Sequence, residues 1–530
     1  ICGCSVDGVH EEMRQRYEWV REIGEEMVRQ SLRTIGALGP DAPLGTIAVF
    51  NPTPQPATGF VTATVPWSDE RPIVSVIAPE GERIAVSQIG EAQQFVIPDG
   101  APAGFDRARA DIGFVAKDVP GYGYAIYRLD VEEQGADAGA RAQQAAPLQV
   151  KNDLFAIEAD TVDGTLTVVE KQTGRTYTGL NRFVDGGDKG DEYNYCVPES
   201  ETIVDRPSSP PKIRVETPAP GVQQLIIEST YALPAGLAAD RMSRSSTATV
   251  SERIVSTVTL TDGVPRVDVC TVVFNAAEDH RLRVHFPSGL KTAVSKADQH
   301  FGVVQRPIAL PKWDPATWME EPLGTYPQKA FVSVDDGAYG LTIANRGLPE
   351  YEVLDTPGGA EIALTLLRCV GWLSRADISS RRGGAGPQLR TPGAQMHGRH
   401  EFAYSIIPHA GDWASAGAHV AAVQHLRPMR ARWNRHGLGH IDYAGSLVEV
   451  ESPAFAVSAI KRAEDGDGVI VRLYNTLDEE AGTAVDVPST SGGVSMVNLN
   501  EEHIADLRRD EDGVGITARP NEIVTLRFRR

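Results

Sequence analysis

The sequence has 530 residues, a length that exceeds one ordinary core and favours three or four domains. Hydrophobic residues make up 41% and charged residues 23%, which is typical of globular proteins and argues against wholesale disorder. Lys and Arg number 51 against 71 Asp and Glu, so the formal charge is −20, spread along the chain. Such a surface repels a phosphate backbone or an anionic membrane, and nucleic acid is not expected as a partner.

The sequence also bounds the compartment. No apolar stretch reaches the roughly 18 residues that span a bilayer, and Arg368 interrupts the apolar run from Ile362 to Leu373, so no membrane association is expected. Five cysteines without a pairing pattern favour a reducing compartment, hence a cytoplasmic over a secreted location. The Cys2-Gly3-Cys4 pair lacks a second ligand pair and is interpreted as incidental rather than as a zinc site. Because Ile1 is neither Met nor the start of a signal-type segment, we expect the natural start to lie upstream.

The first regular element is a long amphipathic helix. From Val9 to Ile35, apolar residues recur at steps of three and four between positions rich in Glu and Arg. Ser5 is a candidate N-cap, and Gly36, Gly39 and Pro40 supply the stop. The apolar stripe is predicted to pack against helices that are not in this sequence.

After Pro40 the sequence pattern changes to short runs rich in β-forming residues, which are separated by turns that contain Pro, Gly and Asp. Residues 41–130 predict a small β-sandwich, with strands at Thr46–Phe50, Gly59–Val65, Ile73–Ile77 and Tyr124–Leu129. The stretch Glu132–Ala146 is rich in Ala, Gly and Gln and predicts an exposed linker. Strand patterns then fill residues 148–408, bounded by turns at Asp163-Gly164, Thr173-Gly174, Asp262-Gly263 and Asp336-Gly337, which is typical of a large antiparallel sandwich.

A last unit is predicted over residues 425–530. A segment of helical composition, Ala410–Gln424, leads into it. Strand patterns resume at Val448–Ile460, Val469–Tyr474 and Ile523–Phe528. These patterns predict a C-terminal β-sandwich.

The segment Asn181–Tyr195, Asn-Arg-Phe-Val-Asp-Gly-Gly-Asp-Lys-Gly-Asp-Glu-Tyr-Asn-Tyr, resembles a signature of bacterial members of glycoside hydrolase family 38, the α-mannosidases. Further matches follow in order along nearly the whole chain, at Phe286-Pro287, Arg306-Pro307, Asn345–Tyr351, Gly371–Arg375, Arg381-Arg382-Gly383 and Arg472–Asn475. The resemblance implies a mainly β fold that forms the C-terminal portion of such an enzyme. Residues 1–38 would be the last helix of a helical-bundle domain, followed by the small β-sandwich, a galactose-mutarotase-like β-supersandwich and the terminal β-sandwich.

The same resemblance implies where the catalytic groups lie. Ile1-Cys2-Gly3-Cys4-Ser5 is similar to the family segment that follows a His-Asp dipeptide, whose His is a zinc ligand. The catalytic barrel, the zinc ligands and the aspartate nucleophile are therefore expected upstream of Ile1. No catalytic residue, zinc ligand or bound cofactor is expected in this chain, and the chain alone is expected to be inactive. With the upstream barrel and helical domain, the family reaction would be retaining, zinc-dependent hydrolysis of terminal α-mannosides, with the β domains lining the sugar pocket. The sequence leaves open whether the protein forms a homo-oligomer.

Three residues are the substrate-binding candidates: Tyr193, Asp191 and Arg382. The glycines of the segment 185–195 permit a tight loop that presents its acidic residues and Tyr193 toward one side. By resemblance, Tyr193 matches a family tyrosine that hydrogen-bonds sugar at the cleavage site. The alternatives are that the carboxylates of the loop pair with arginines at a domain interface or bind calcium.

Arg382 resembles a family arginine that approaches the sugar or its supporting carboxylates, where a guanidinium could hold hydroxyls in forked fashion. A shift of one residue in the match would assign this role to Arg381, and a solvated basic turn is the alternative. Other polar motifs receive structural interpretations. The histidine pairs His280/His285 and His397/His400 are expected as core or surface residues, Glu464–Gly468 as a hairpin turn rather than a calcium loop, and Trp313 and Trp318 as core or interface more than as a sugar subsite.

Two further functional hypotheses remain open. The chain could be a stand-alone carbohydrate-binding protein built of β-sandwiches, although a free apolar stripe over Val9–Ile35 would invite aggregation. The parent enzyme could instead act on another α-mannosylated substrate, such as a mannosylated small molecule.

Overall fold

A computed structural model of the chain describes residues 3–68, 72–94, 108–131, 148–245 and 248–529. Within these ranges the protein is mainly β, with two α-helices and one short 3-10 helix, Pro392–Gln395, which confirms the predicted fold class. The expectations for Ile1, Cys2 and the linker Glu132–Ala146 fall outside the described residues.

Helix α1, Asp7–Leu38, is the predicted amphipathic helix. It ends at Gly39 as predicted, where the Gly39 amide donates to the Ile35 carbonyl at 3.2 Å. The expectation that Ser5 caps it is wrong: the N-cap is Val6, and the Ser5 amide instead donates to Glu192 Oε2 at 2.8 Å. No helix in the described ranges is both long and apolar enough to cross a membrane.

Most of the apolar stripe of α1 is uncovered by the described residues. Only Leu32 and Gly36, near the C-terminal end, are buried. Four large side chains earlier in the helix are between 62% and 68% exposed, namely Tyr17, Val20, Ile23 and Met27. The helix is thus anchored at its two ends, while its middle presents an apolar surface.

The first β unit consists of two small sheets that enclose a core around Ile47, Phe114 and Tyr127. Its strands are β1 Thr46–Asn51, β2 Ala57–Pro66, β3 Ile73–Ile77, β4 Arg83–Ala85, β5 Ser87–Gln94, β6 Ala108–Val119 and β7 Gly123–Val131. The sheets have the orders β1-β7-β3-β4 and β2-β6-β5. The four strands predicted from the sequence are all confirmed.

The named strands of the large unit pair antiparallel. Its strands are β8 Gln149–Lys151, β9 Phe155–Ala159, β10 Leu166–Glu170, β11 Thr176–Leu180, β12 Arg182–Gly187, β13 Lys212–Ala219, β14 Val222–Pro234, β15 Thr249–Thr261, β16 Val267–Asn275, β17 His280–Pro287, β18 Val294–Gln299, β19 Gly302–Pro307, β20 Thr325–Pro327, β21 Phe331–Asp335, β22 Tyr339–Arg346, β23 Glu350–Thr356, β24 Gly359–Cys369 and β25 Gly398–Ala410. A nine-stranded sheet, β13-β14-β15-β16-β25-β22-β21-β18-β19, and a five-stranded sheet, β12-β17-β24-β23-β20, contribute to one continuous core, together with the four-stranded sheet β11-β10-β9-β8. The four predicted turns are confirmed, each with its glycine at positive φ: Gly164, Gly174, Gly263 and Gly337.

The helix that precedes the C-terminal region starts later than predicted. Helix α2 spans Ala418–Leu426 rather than beginning at Ala410, because the Asp412 carboxylate accepts the amides of Ala414 and Ser415 and first forms a turn. The remaining strands are β26 Arg430–Asn434, β27 Ala444–Ser446, β28 Glu449–Val450, β29 Phe455–Arg462, β30 Val469–Asn475, β31 Ala481–Asp486, β32 Val494–Val497, β33 His503–Leu507, β34 Val514–Ala518 and β35 Ile523–Phe528. Strands β26 and β27 return to the first unit and pair with β1 and β7.

The terminal sandwich has the sheets β28-β31-β34 and β29-β30-β35-β32-β33. The single strand predicted over Val448–Ile460 is wrong in detail. Pro453 has no amide to donate, and the chain makes a turn in which the Phe455 amide donates to the Ser452 carbonyl at 3.2 Å. The segment is therefore divided into β28 and β29.

A buried polar cluster interrupts the apolar interior of the large unit. Asp185 lies on β12 and His280 on β17, with His280 Nδ1 2.5 Å from Asp185 Oδ2. Arg244 pairs with the other oxygen of Asp185. Glu252, on β15, is fully buried nearby. Burial raises the pKa of Glu252 to about 7 despite the opposing charge of His280, and Asp185 raises it further.

We expect Glu252→Gln to stabilise the protein in a pH-dependent way. The pKa of this carboxyl is about 7 in the fold, against 4.5 for an unperturbed glutamate, so the unfolded chain ionises first and the fold loses stability as pH rises between these values. The variant escapes this penalty, which is at most about 3 kcal/mol above pH 7. Melting temperatures of both proteins at pH 5 and pH 8 measure it: the advantage of the variant should be larger at pH 8, and an equal difference at both pH values would contradict the assignment.

Candidate functional site

The glycine-rich loop 188–195 follows β12 and is held by two buried carboxylates. Asp188 is fully buried, and its Oδ1 accepts the amides of Gly190 at 2.8 Å and Cys196 at 3.2 Å. Arg368 Nε lies 2.7 Å from Asp188 Oδ2. Burial raises the pKa of Asp188, and the Arg368 charge opposes that shift. The first carboxylate thus closes the beginning and end of the loop onto the five-stranded sheet.

Asp191 is the second carboxylate and is also fully buried. Its Oδ1 accepts the amides of Tyr193 and Asn194, at 3.0 and 2.9 Å. Its Oδ2 accepts the Arg375 amide at 2.7 Å and pairs with Arg381 Nη2 at 2.6 Å. Burial opposes ionisation, but the Arg381 charge and the amides outweigh it and lower the pKa of Asp191. Asp191 was predicted to bind substrate, but both oxygens of its carboxylate accept hydrogen bonds from groups within this chain.

Tyr193 stands on the outer side of the same loop. Its side chain is 41% exposed, and its ring lies 5.9 Å from the Arg381 guanidinium carbon. Its hydroxyl borders Gly386, whose amide donates to Ser374 Oγ at 3.0 Å. Within the described part of the chain the phenol oxygen makes no hydrogen bond, so it is available to an external hydroxyl group. The segment 374–386 and the loop together form a surface that we call the Tyr193 face.

The two adjacent arginines differ in burial. Arg381 is 6% exposed and hydrogen-bonds Asp191 and the Asn194 side chain. Arg382 has an exposed side chain, while its amide donates to the Met319 carbonyl at 3.0 Å. Arg382 is thus exposed within the segment 374–386, whereas Arg381 is buried against the loop.

Sequence reasoning missed that the start of α1 is seated beside this loop. The Glu192 carboxylate accepts the Ser5 amide and lies 3.7 Å from His10 Nε2. The Asp7 carboxylate accepts the Gly393 amide at 2.9 Å. These contacts join residues nearly 200 to 400 positions apart, and no local pattern signals them. The N-terminal end of the described chain therefore lies next to the Tyr193 face.

Trp372 is a second residue whose position the sequence did not reveal. Its carbonyl accepts the Glu192 amide at 3.1 Å, and its ring is contacted by the guanidinium groups of Arg375 and Arg390, at 4.6 and 4.1 Å. This stacked group supports the base of the loop. Trp318 is 43% exposed. The carbonyl of the next residue, Met319, accepts the backbone amide of Arg382.

The remaining polar motifs behave as structural elements. His280 and His285 are core residues, bonded to Asp185 and Glu361 respectively. Glu464–Gly468 forms the predicted turn between β29 and β30, and Asp465 pairs with Arg527 at 2.7 Å. Over the ranges that the structure covers, no group of three His, Cys, Asp or Glu side chains is arranged to hold a metal ion.

We expect Arg381→Lys to destabilise the protein by about 2 kcal/mol, because an ammonium retains the charge but cannot form the fork that meets Asp191. Arg382→Lys is the matched control and should change the unfolding free energy by no more than about 0.5 kcal/mol, since its side chain is exposed. Thermal unfolding of both variants measures the contrast. Equal effects at the two positions would refute the inward and outward assignment.

Gly190→Ala should disrupt the loop. A Cβ at this position would lie 2.0 Å from the Asn194 carbonyl oxygen, which belongs to the backbone and cannot rotate away. An overpacking cost of about 1 to 3 kcal/mol is expected. Gly515→Ala, at an exposed strand position where a Cβ meets nothing within 4 Å, is the control and should be near neutral. A Gly190→Ala protein with the melting temperature of the control would show that the loop geometry is wrong.

The fold and the exposed loop define a multi-domain protein built from antiparallel β-sandwiches, with a presented tyrosine and arginine on the largest unit. The family model described as glycosyl hydrolases family 38 C-terminal domain matches residues 150–374. The model of the family 38 C-terminal beta sandwich domain matches residues 454–526. The chain belongs to glycosyl hydrolase family 38 and carries its C-terminal domains.

Individual relatives agree with this assignment. A protein of Halalkalibacterium halodurans named "Putative mannosylglycerate hydrolase" is 27% identical over 577 aligned residues, covering 100% of this chain and 61% of the relative. Human "Alpha-mannosidase 2C1" is 25% identical over 240 residues, which are 44% of this chain and 20% of that protein. The crystal structure of an alpha-mannosidase from Enterococcus faecalis V583 superimposes with a TM-score of 0.82 at 27% identity, covering 99% of this chain and 61% of that one.

A second Enterococcus faecalis structure, of a protein in glycosyl hydrolase family 38, has a TM-score of 0.81 at 26% identity and matches 99% of this chain and 64% of its own length. The chain thus spans about three fifths of the length of the relatives that it matches throughout.

Proposed function

We propose that this chain forms the β portion of an α-mannosidase-type glycosidase that hydrolyses terminal α-mannosides, and that the Tyr193 face is its wall of the sugar pocket. The observation that carries the proposal is the presentation of Tyr193 and Arg382 on a rigid base, beside the start of α1. The family assignment and the mannosidase names of the relatives support the substrate class.

The proposed chemistry divides between this chain and a domain outside its sequence. A retaining glycosidase uses a carboxylate nucleophile and an acid about 5 Å apart. We place both groups in an upstream barrel, together with a helical domain that would cover the apolar stripe of α1. The family's zinc is placed there as well, since the described residues offer no group of ligands for it, and no step is assigned to it here. A cytoplasmic location stays part of the proposal, on the cysteine pattern alone.

Within this chain each residue has a definite proposed task. The Tyr193 phenol can donate to and accept from a sugar hydroxyl, and Arg382 can hold a hydroxyl or a carboxylate from the side. Asp191 acts as a positioning residue: its carboxylate orders the backbone at Tyr193 and Asn194, and Arg381 neutralises it. Because the loop is ordered by buried bonds, little conformational entropy is lost when sugar binds.

The proposed substrate has two forms. Terminal α-mannosides are the class suggested by the mannosidase names. The name of the Halalkalibacterium relative favours, as a second candidate, a mannosylated small acid such as mannosylglycerate. Its carboxylate would be met by the exposed guanidinium of Arg382.

The test uses a protein in which the upstream coding sequence precedes residue 1. It should release mannose from an aryl α-mannoside or from mannosylglycerate, and the preferred substrate distinguishes the two candidates. Absence of hydrolysis of every α-mannoside, together with specific mannose binding by the present chain, would favour a stand-alone carbohydrate-binding protein instead.

In that protein Tyr193→Phe should lower kcat/KM by about 3- to 10-fold, the effect of one lost neutral hydrogen bond. Tyr339→Phe is the control, because Tyr339 lies on β22 against Arg175, away from the Tyr193 face. Steady-state kinetics of both variants measure the difference. Wild-type kinetics for Tyr193→Phe would remove the phenol from the proposed pocket.

A further inference from the structure

A cavity of about 260 Å³ lies where all three β units meet helix α2, and none of its lining residues belongs to the Tyr193 face. The first unit contributes the turn 53–55 and Tyr122, and the large unit contributes the hairpin between β18 and β19 and the start of β21. Strands β29 and β30 of the terminal sandwich close the other side. The cavity therefore exists only because the units are packed together.

Two buried phenols in the wall of this cavity have no hydrogen-bond partner among the described residues. Tyr122 is 8% exposed and Tyr474 is 5% exposed. Neither phenol oxygen belongs to the set of fully enclosed side-chain atoms without a partner, so both oxygens are accessible from the cavity. Burial raises the pKa of both phenols to about 12, so both are neutral and can donate as well as accept. Two such groups in one cavity point to a ligand with hydroxyl groups.

Tyr122 is held in place by its backbone. It adopts φ 38°, a left-handed conformation that is strained for a bulky residue. Its amide donates to the Thr53 carbonyl at 2.7 Å, and its carbonyl accepts the Leu447 amide at 2.9 Å. These two hydrogen bonds hold Tyr122 in its strained backbone conformation, and its side chain is thereby positioned at the junction of the three units.

The charged groups of the cavity are of both signs. Asp298 uses one carboxylate oxygen to accept the Ala330 amide at 3.0 Å. Lys329 and Arg427 also line the cavity. Burial raises the pKa of Asp298, opposed by the charges of Lys329 and Arg427, which places these groups in one electrostatic environment. The carboxylate can accept hydrogen bonds from ligand hydroxyl groups, and the two cationic side chains can donate hydrogen bonds to them. These charges are therefore compatible with a neutral ligand.

The apolar part of the wall is aromatic. The Phe301 ring lies 5.5 Å from the Tyr474 ring at 71°, and Phe301 is 46% exposed. Trp413 packs between Phe331 and His419, with centroid distances of 5.6 and 5.1 Å. His419 is already used structurally, because its Nε2 lies 2.9 Å from the Pro453 carbonyl oxygen. The aromatic surfaces suit a ring with an apolar face.

We propose that this cavity is a binding site for one neutral hexose-sized monosaccharide, whose hydroxyls meet Tyr122, Tyr474 and Asp298 and whose apolar face lies against the aromatic wall. The volume has room for a single sugar ring. This site is separate from the Tyr193 face and does not depend on hydrolysis. Because the ligand contacts all three units, its binding stabilises their packing.

The experiment uses the 530-residue chain with mannose, glucose and benzyl alcohol as probes. Isothermal titration and the ligand-dependent shift of the melting temperature measure binding. A hexose should bind and raise the melting temperature. Tyr122→Phe and Tyr474→Phe each remove one oxygen without changing the volume, and each should weaken hexose binding by about 3- to 10-fold. Melting temperatures without ligand verify that the variants fold.

Tyr339→Phe is the matched control, because Tyr339 lies on β22 against Arg175 and does not line this cavity, and it should bind the hexose like the unmodified chain. Loss of binding in Tyr193→Phe, with full binding in the two cavity variants, would place the sugar on the Tyr193 face and overturn the inference. Binding of benzyl alcohol alone would show a purely apolar cavity, and a hexose-soaked crystal with only water at Tyr122 and Tyr474 would also overturn it. Failure of hydrolysis by the longer protein has no bearing on these outcomes.

Discussion

The buried ion pair between Asp191 and Arg381 is the constraint on which the Tyr193 face depends. Both side chains are withdrawn from solvent, so each charge requires the other and the amides around them. The carboxylate accepts the amides of Tyr193 and Asn194, and the guanidinium donates to the carbonyls of Arg375 and Gly383. One interaction therefore joins the loop to the neighbouring segment and turns the aromatic ring outward. Replacement of such a pair by apolar groups could preserve stability but would lose the register of the loop.

The polar groups in the interior of the large unit extend the same principle. Asp188, Asp185 and His280 connect the beginning of the loop to strands β12 and β17, and Arg368 and Arg244 balance their charge. Apolar packing between the two large sheets holds the sandwich together but specifies no particular loop. The directional bonds of the buried carboxylates supply that specificity, at a cost in desolvation that shows in the raised pKa of Asp188.

The junction of the three units is the second organising feature. Strands β26 and β27, which precede the terminal sandwich in the chain, complete the first sheet, so the chain returns to the first unit before it forms the last one. Helix α2 lies at this junction, and the cavity lined by Tyr122 and Tyr474 is its consequence. The uncovered middle of α1 shows the opposite case: an amphipathic face whose partner is absent from the described residues stays exposed.

Local patterns in the sequence determined much of the architecture. Helix α1, the strands of the first unit and the glycine turns at positions such as Gly164 and Gly337 follow from periodicity and from backbone freedom, which short stretches of chain encode. The glycine-rich loop and the arginine pair were found as motifs, but not their directions. That Arg381 points inward and Arg382 outward, that Ser5 bonds Glu192 instead of capping α1, and that Pro453 divides a predicted strand were decided by the tertiary structure. The physical reason is that a local pattern reports which face of an element is apolar, whereas the partner of a polar group is chosen among residues brought together only when distant strands pair.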